Sequence, residues 1–140
     1  KGDTFSSIEF VVGSDHHDKI FGDDAINRLD GLDGCDILYG RGGNDTLIGG
    51  RGKDTLNGGE GNDVFIFEGQ TDDDTIEDFE AGAGRTDRVW LRDSEFDTFE
   101  DLQDALTQTD DGALLTHANG TILFENLVTT DFVADDFILA

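Results

Sequence analysis

The sequence of 140 residues contains no proline, no methionine and only one cysteine, Cys35. Cys35 has no partner for a disulfide within the chain, so we expect a free thiol. No run of 18 apolar residues occurs, and no basic and apolar leader opens the chain, so the sequence predicts neither a membrane span nor an N-terminal signal peptide. Because the chain starts at Lys1 and not at a methionine, we interpret it as a fragment or as the end of a longer polypeptide.

Positive charge is also scarce. The chain carries 9 Lys and Arg against 33 Asp and Glu, and its formal net charge is −24. Such an acidic chain repels nucleic-acid phosphates and anionic membrane surfaces, which excludes both as ordinary partners. Dense carboxylates attract cations, and calcium prefers oxygen ligands. A disordered acidic tail is the alternative, but 36% apolar residues, including 11 Phe, favour a folded chain.

Glycine, in contrast, is abundant, and it recurs every nine residues from Gly13 to Gly58. Six consecutive blocks share this period, which indicates a repeat architecture. The sixth places of the blocks hold Asp18, Asn27, Asp36, Asp45, Asp54 and Asp63. The eighth places hold Ile20, Leu29, Leu38, Leu47, Leu56 and Phe65. A seventh block, shifted by two residues, covers 69–77 and adds Asp74 and Ile76.

Each block combines two kinds of local structure. Its glycine-rich half favours a sharp turn, because glycine enters positive-φ conformations without a Cβ penalty. Its second half has one apolar residue between two outward ones, which is the pattern of a very short strand. We therefore expect two blocks to form one coil of a flat solenoid, with block n stacked on block n+2. The apolar residues would fill the space between two parallel sheets.

This stacking predicts two columns of carboxylates along the turn edges. One column contains Asp18, Asp36, Asp54 and Asp74, and the other contains Asn27, Asp45 and Asp63. Two carboxylates about 4 Å apart repel by roughly 4 kcal/mol at an effective dielectric constant near 20. A divalent cation between successive coils would convert each pair into a ligand cage that turn carbonyls complete. The thin interior has little hydrophobic reserve, so we expect calcium, at about four or five sites, to decide whether the solenoid folds.

The blocks resemble the RTX (repeats-in-toxin) nonapeptide G-G-x-G-x-D-x-U-x, strongly over 13–67 and weakly over 69–77. The resemblance implies a mainly β protein: a right-handed parallel β-roll that binds calcium, with a small C-terminal α/β cap. The first two blocks depart from the pattern at His16, Ala25 and Asn27, which weakens the expectation of a site at Asn27. The other turn residues that we predict to contribute to the metal sites are Asp15, Asp24, Asp33, Gly31, Gly40, Gly42, Gly43, Gly49, Arg51, Gly52, Gly58, Glu60 and Gly61.

The flanks of the repeat are expected to close it. Residues 1–12 are predicted to be an N-terminal capping strand, because Ile8, Phe10 and Val12 alternate like a strand. Residues 13–77 are assigned to the roll and 78–140 to a C-terminal capping segment, and 73–91 resembles the exit segment of the family. We expect the C-terminal segment to pack on one face of the roll. It would cover some of the outward apolar residues Ile37, Tyr39, Ile48, Val64 and Ile66.

Within the C-terminal segment, Thr98 and Asp101 predict a helix start, with a helix over 99–108. Strands are expected over 113–117 and 120–127, joined by a turn that contains Asn-Gly. The acid and apolar run 136–140 predicts a final strand. It also resembles the uncleaved signal for type I secretion, which exports the chain unfolded where calcium is low.

Other site types fit less well. No glycine run completes G-x-G-x-x-G, and Asp54 after Lys53 would repel a phosphate. The period of nine contradicts a twelve-residue EF-hand loop. His16 and His17 lack the cysteines or helical spacing of a zinc site. No local signature surrounds His117, so we expect no catalysis within these residues.

These observations predict a calcium-binding module that supports the secretion, folding and stability of a larger secreted bacterial protein. That protein would be an enzyme such as a protease, a lipase or an alginate epimerase. In such an enzyme the module could also help to bind an acidic polysaccharide through calcium. The alternative is the terminal module of a large adhesin or toxin that acts in interactions at a cell surface.

Overall fold

The structure, a computed structural model, describes residues 3–4, 9–84 and 87–140. The strands of the first sheet (sheet 1) are β1 (Asp3–Thr4), β3 (Lys19–Phe21), β5 (Ile37–Gly42), β7 (Thr55–Glu60), β9 (Asp72–Ile76), β11 (Leu106–Gln108), β12 (Gly112–His117) and β13 (Gly120–Glu125). The strands of the second sheet (sheet 2) are β2 (Phe10–Ser14), β4 (Arg28–Leu32), β6 (Thr46–Ile48), β8 (Val64–Phe67), β10 (Arg88–Leu91) and β14 (Phe137–Leu139). One α-helix, α1 (Phe99–Asp104), and one 3-10 helix, Ala134–Asp136, complete the described elements.

The chain alternates between the two sheets throughout the repeat. Sheet 1 has the order β1-β3-β5-β7-β9-β13-β12-β11, and sheet 2 has the order β14-β10-β8-β6-β4-β2. Within the repeat the pairs are parallel: Leu38 lies opposite Leu56 in sheet 1, and Leu29 lies opposite Leu47 in sheet 2. The predicted parallel β-roll, with block n beside block n+2, is confirmed.

The interior of the roll is filled by one row of apolar side chains from each sheet. Each short strand turns a single apolar side chain inward, and six of these side chains have no exposed surface: Leu29, Leu38, Leu47, Leu56, Phe65 and Ile76. The coils approach so closely at the turns that some positions exclude a side chain. A Cβ on Gly50 would collide with the Leu32 carbonyl oxygen, and Gly50 also has a φ of +102°. Only glycine satisfies both conditions without strain.

The C-terminal segment extends the two sheets and does not cover a face of the roll. In sheet 2, β10 pairs with β8 and β14 pairs with β10, and in sheet 1, β13 pairs with β9, all in parallel. The expectation that this segment packs on one face is therefore wrong. The physical reason is the open strand edge at the end of each sheet, whose backbone donors and acceptors the following strands satisfy.

The outward apolar residues of the roll differ in their exposure. Ile48 and Ile66 are buried, with 6% and 3% of their surface exposed. Ile37, Tyr39 and Val64 are only half-buried.

The predicted helix starts as expected but ends early. Thr98 caps α1, and its side chain and that of Asp101 form the reciprocal capping hydrogen bonds. The prediction of helix over 105–108 is wrong, because Leu106–Gln108 pairs antiparallel with Ala113–Leu115 at the edge of sheet 1. The predicted hairpin is confirmed as β12 and β13, and the predicted final strand is confirmed as β14.

The N-terminal part of the described chain forms an edge strand of the roll. Strand β2 pairs with β4 and belongs to sheet 2. Val11 packs against the core, whereas Phe10 and Val12 are 53% and 47% exposed. Ile8 lies outside the described residues. Across 9–84 and 87–140, no helix has the length and apolar character required to cross a membrane.

Candidate metal centre

The sixth-place residues lie in the two predicted columns and are linked by hydrogen bonds between successive coils. In one column, the N–H groups of Asp18, Asp36 and Asp54 donate to Oδ1 of the next member, at 2.7, 2.8 and 2.8 Å. The last acceptor in this column is Asp74.

The second column has the same geometry. Asn27 N–H donates to Asp45 Oδ1 at 2.7 Å, and Asp45 N–H donates to Asp63 Oδ1 at 2.8 Å. Residues that are neighbours in the sequence, such as Asp45 and Asp54, therefore lie in different columns.

The second carboxylate oxygen in the middle of the columns is buried without a hydrogen-bond partner. This holds for Oδ2 of Asp36, Asp45, Asp54, Asp63 and Asp74. None of these five residues has more than 2% of its surface exposed. A buried acceptor without a donor is unfavourable, and a buried charge without a counter-charge more so. Five such oxygens at one repeat position fit a cation as their common partner.

The electrostatics of the columns also favour a cation. Burial raises the pKa of Asp45 and Asp63 to about 6, that of Asp54 to about 7 and that of Asp74 to about 8. Neighbouring carboxylates add to the effect: Asp36 raises the pKa of Asp54, and Asp54 raises that of Asp74. The hydrogen bonds from the backbone N–H groups oppose both contributions. Without a counter-ion the fold therefore disfavours the ionised form that these carboxylates have in solution.

Main-chain oxygens approach the same points as the orphaned carboxylate oxygens. A Cβ built on Gly31 would lie 2.6 Å from the Gly49 carbonyl oxygen and would also collide with Asp36 Oδ2. A Cβ built on Gly40 would likewise lie 2.5 Å from the Gly58 carbonyl oxygen and would collide with Asp45 Oδ2. A side chain at either glycine would fill this space.

The donor set at these positions suits calcium. Calcium accepts six to eight oxygen ligands and uses carboxylates and carbonyls together. Among the described residues, no group of three or more His, Cys, Asp or Glu side chains could hold a metal ion. A cation in the columns would therefore depend on main-chain oxygens, which the glycine-rich turns expose. The residues present fit calcium.

The first coil differs from the middle of the roll. Asp18 Oδ2 accepts hydrogen bonds from Ser14 N–H at 2.6 Å and Ser14 Oγ at 2.8 Å. Asn27 Oδ1 accepts from Asp23 N–H at 2.8 Å. Turn hydrogen bonds thus satisfy the side-chain oxygens that further along the roll lack a partner. These hydrogen bonds occur in the first two blocks, which are also the blocks that depart from the repeat pattern.

The third-place residues lie outside the columns. The side chains of Asp15, Asp24, Asp33, Arg51 and Glu60 are exposed, and Arg51 approaches Asp33 at 4.0 Å. We expect any contribution of these residues to the gaps between coils to come from their main-chain oxygens.

The turn glycines provide close contacts between coils. Gly42 lies beside Asp24, and the positions of a Cβ on Gly43, Gly52 and Gly61 meet carbonyl oxygens of the neighbouring coil. The fourth-place glycines have positive φ values between +101° and +151°. Because only glycine adopts such values without strain, a turn of this shape, which exposes its carbonyl groups, requires glycine at the fourth place.

Two acids of the exit segment were not among the site residues predicted from the sequence. Asp87 continues the second column: its Oδ1 accepts from Asp63 N–H at 3.0 Å and its Oδ2 from Glu80 N–H at 2.9 Å. Burial raises its pKa to about 6. Asp78 accepts from Gly58 N–H at 2.9 Å and Gly59 N–H at 2.6 Å.

A signal for Asp87 was present. Asp87 is followed two residues later by Val89, as in the repeat. The preceding loop is longer than a repeat turn, and this breaks the period of nine.

The remaining candidates gain no support as a metal site. His17 Nδ1 lies 3.2 Å from both the backbone N and the carbonyl O of Cys35, and Cys35 is exposed. Within the described residues no cluster of metal-binding side chains includes His16 or His17.

The roll and its two carboxylate columns define the class of protein, a calcium-binding β-roll module. A family model described as the RTX calcium-binding nonapeptide repeat (4 copies) matches residues 12–47, 30–65 and 39–76. The chain belongs to this family, whose repeats bind calcium. A comparison with curated protein sequences gives no significant match.

Solved structures show the same fold. The AlgE6R3 subunit of a mannuronan C5-epimerase from Azotobacter vinelandii is 31% identical, with a TM-score of 0.69, and the alignment covers 91% of this chain and 81% of that one. The AlgE6R2 subunit of the same enzyme is 28% identical, with a TM-score of 0.69 and coverage of 93% and 92%. These two relatives are parts of an enzyme, but the repeat module itself is a non-catalytic fold.

The extracellular lipase LipA from Serratia marcescens is 17% identical with a TM-score of 0.54, and this similarity shows the fold alone. The alignment covers 94% of this chain and 40% of the lipase, so the chain spans less than half of that protein.

Proposed function

We propose that this module folds when it binds calcium outside the cell and thereby stabilises a larger secreted protein. The observation that carries the proposal is the set of five buried carboxylate oxygens without a hydrogen-bond partner, at Asp36, Asp45, Asp54, Asp63 and Asp74. All five occupy one repeat position. Hydrophobic side chains cannot satisfy these oxygens, whereas a cation between successive coils would.

The proposed ligands follow from the columns. The side chains of Asp36 and Asp54 would share an ion, and those of Asp45 and Asp63 would share another, because each pair is stacked. Carbonyl oxygens of the turns, such as those of Gly49 and Gly58, would complete the coordination. The chemistry that calcium supplies is positive charge, which removes the repulsion within a column. About four or five ions are expected from the number of stacked pairs.

The same charges provide a reason for calcium-dependent export. Where calcium is scarce, the stacked carboxylates repel each other and oppose folding. We propose that the chain leaves the cell unfolded by type I secretion, with 136–140 as part of the signal, and folds on reaching calcium. A secretion role and a structural role are compatible, since β14 completes sheet 2 once the chain has folded.

The larger protein is proposed to be a secreted enzyme, for which the module serves as an accessory unit, with 13–77 as the roll and 78–140 as its cap. Two of its relatives belong to a mannuronan C5-epimerase, which supports an acidic polysaccharide as a partner. The alternative remains a terminal module of a large adhesin or toxin, in which the same roll would serve interactions and not catalysis.

Circular dichroism during a calcium titration of the chelated protein tests the folding role. We expect little β-structure without calcium and a cooperative gain on addition. β-Structure that is complete without calcium and unchanged by it would contradict the proposal. The calcium stoichiometry of Asp45→Ala and Asp54→Ala should fall, whereas that of Asp33→Ala, whose side chain is exposed, should not. A loss of stability at unchanged stoichiometry would mean that the buried carboxylates only cap the turns.

A further inference from the structure

Asparagine is followed directly by glycine at two places in the chain, Asn57-Gly58 and Asn119-Gly120. This dipeptide favours loss of the side-chain amide, because glycine has no Cβ that hinders its backbone nitrogen when this nitrogen attacks the preceding side chain. The fold requires glycine at position 58, where a Cβ would collide with Asp63 Oδ2. The repeat therefore places a chemically labile dipeptide in the middle of strand β7.

In the folded roll, the exit segment engages both groups that would have to react. Asn57 Nδ2 donates a hydrogen bond to Glu77 Oε2 at 3.2 Å. Gly58 N–H donates to Asp78 Oδ1 at 2.9 Å, and Gly59 N–H donates to Asp78 Oδ2 at 2.6 Å. The amide group that would leave and the nitrogen that would attack thus each face a carboxylate.

These two carboxylates oppose the reaction for different reasons. The Gly58 nitrogen must lose its proton before it attacks, and a neighbouring negative charge disfavours a second one. Asp78 supplies that charge and also accepts the hydrogen bond from this proton. The Asn57 side chain must turn its carbonyl carbon towards the Gly58 nitrogen, which breaks the hydrogen bond to Glu77. Both contacts join segments that are about 20 residues apart in the sequence, so they exist only while the roll is folded.

We propose that Asn57 is a deamidation site that is blocked in the calcium-loaded roll and open in the calcium-free chain. In the open state the Gly58 nitrogen bonds to Asn57 Cγ and the Cγ–Nδ2 bond breaks. Ammonia leaves with the proton that the Gly58 nitrogen gives up. Water then opens the cyclic imide at one of its two carbonyl carbons and leaves aspartate or isoaspartate. Water is the one co-reactant, and no atom is oxidised or reduced.

Either product would damage the roll. Aspartate at position 57 would place a second carboxylate beside Glu77, where the amide of Asn57 now donates a hydrogen bond, and two like charges at this distance repel. Isoaspartate would lengthen the backbone of β7, which pairs with β5 on one side and β9 on the other. The time that the chain spends without calcium would therefore limit the fraction of molecules that can still form the roll.

The second dipeptide provides an internal reference. Asn119 is exposed, and its side chain makes no hydrogen bond to any residue that the structure describes. Its carbonyl oxygen accepts from Asp72 N–H at 3.1 Å, but no carboxylate accepts from its amide. A change at Glu77 or Asp78 should therefore alter the rate of amide loss at Asn57 and not at Asn119.

The calcium dependence of this inference rests on the proposed calcium-dependent folding, but the two can fail separately. A chelated chain that circular dichroism shows to be folded would contradict the folding role. A chelated chain that is unfolded and yet keeps the amide of Asn57 would contradict this inference alone.

The experiment is incubation of the chain at pH 8 with calcium, with chelator, and with chelator and urea. Peptide mapping by mass spectrometry measures the exchange of NH2 for OH at Asn57 and Asn119. We expect amide loss at Asn57 to be at least tenfold faster with chelator than with calcium, and as fast as in urea.

Variants of the calcium-loaded protein test the two carboxylates directly. Glu77→Ala removes the partner of the Asn57 amide, and Asp78→Asn keeps the shape of that side chain but removes its charge. Each should accelerate amide loss at Asn57 at least threefold, with an unchanged circular dichroism spectrum and an unchanged rate at Asn119. Glu60→Ala removes an exposed acid from the same strand and is the matched control, for which the Asn57 rate should not change.

The product is tested with Asn57→Asp. This variant should need a higher calcium concentration for half-maximal folding than the wild type, whereas Asn119→Asp, the same chemical change at an exposed turn, should fold like the wild type.

Four results would overturn the proposal. Asn57 would lose its amide as fast with calcium as in urea, or it would stay intact in a chelated chain that has unfolded. Glu77→Ala and Asp78→Asn would leave the rate unchanged or lower it, and a lower rate would mean that the carboxylates act as bases. Or Asn57→Asp would fold at the same calcium concentration as the wild type.

Discussion

The repeat and the C-terminal segment share the same two sheets but are stabilised differently. In the repeat, each coil contributes single buried side chains such as Leu47 and Leu56 to a narrow interior. In the C-terminal segment, aromatic rings form a broad cluster. Phe124 lies 5.2 Å from Phe79 and 4.8 Å from Phe132, measured between ring centroids.

The polar groups differ as well. The repeat buries carboxylate oxygens without partners, as at Asp54 and Asp74. The buried acids of the C-terminal segment have partners: Asp136 accepts from Gly82 N–H and Val133 N–H, and Asp87 accepts from Asp63 N–H and Glu80 N–H. We therefore expect a segment with a broad apolar core and satisfied acids to depend less on a metal ion. A thin solenoid with unsatisfied acids needs the charge that a cation supplies.

Removal of calcium should separate the two regions most strongly. After chelation, backbone amides in 28–60 should lose their protection from hydrogen exchange, whereas those in the hairpin 112–125 should keep a larger fraction of theirs. The reason is that chelation restores the repulsion within the columns but removes nothing from the aromatic cluster. Hydrogen exchange measured by mass spectrometry checks this, with calcium-loaded protein as the control. Equal loss in both regions would show that they fold as one unit.

Truncation of the aromatic cluster should have the next largest effect. Phe124→Ala should lower the free energy of unfolding by about 3–5 kcal/mol at saturating calcium, because it creates a cavity in a fully buried site. The calcium stoichiometry should stay the same. Phe10→Ala, at a ring that is 53% exposed, is the control and should change stability by less than about 0.5 kcal/mol. Loss of calcium binding in Phe124→Ala would argue against separate stabilisation of the two regions.

Neutralisation of a column carboxylate should lower the stability of the calcium-loaded protein but not that of the chelated protein. Asp54→Asn should remove up to about 2.7 kcal/mol of the stabilisation by calcium, the contribution of one site at 100 times its dissociation constant. In the chelated protein it should be neutral or stabilising, because it removes a buried negative charge.

Asp18→Asn is the matched control for Asp54→Asn, because Ser14 already satisfies Asp18. Its effect should be smaller and of the same sign in both conditions. Chemical denaturation with and without chelator measures both variants, and destabilisation by Asp54→Asn after chelation would count against an ion site there.

The pH dependence of the chelated roll should be opposite to that of most proteins. The folded-state pKa of Asp54 is about 7 and that of Asp74 about 8, both raised by burial above 3.8. A raised folded-state pKa means that the folded state binds more protons than the unfolded one. This contribution to stability is present below about pH 4 and is lost as the pH rises through 7 to 8.

Melting of the chelated protein at pH 5 and pH 8 measures this dependence, and the roll should be more stable at pH 5. With calcium bound, the roll should instead be more stable at pH 8 than at pH 5, because protons compete with calcium for the same oxygens. A chelated roll that is more stable at pH 8 would contradict the burial of unpaired carboxylates.

The repeat could be predicted from the sequence almost completely, whereas its surroundings could not. The period of nine placed Asp36 over Asp54 and Asp45 over Asp63, since each repeat contributes the same backbone geometry. The end of the helix was missed because apolar spacing at Leu102 and Leu106 suits a helix, but the backbone of Leu106–Gln108 pairs with β12. Asp87 was missed because the loop before it interrupts the period. The orientation of Phe10 and Val12 depends on which side of β2 faces the core, and an alternation of apolar residues does not reveal that.

The sequence by itself determined the coil, the two sheets and the two columns, because turns and three-residue strands are local structures that a strict repeat copies. Only the tertiary structure decided which carboxylate oxygens lack a partner and where the C-terminal strands attach. It also decided that Glu77 and Asp78 accept hydrogen bonds from Asn57 and Gly58. These features depend on contacts between coils and between distant segments, where the available donors, open strand edges and side-chain directions are properties of the assembled fold.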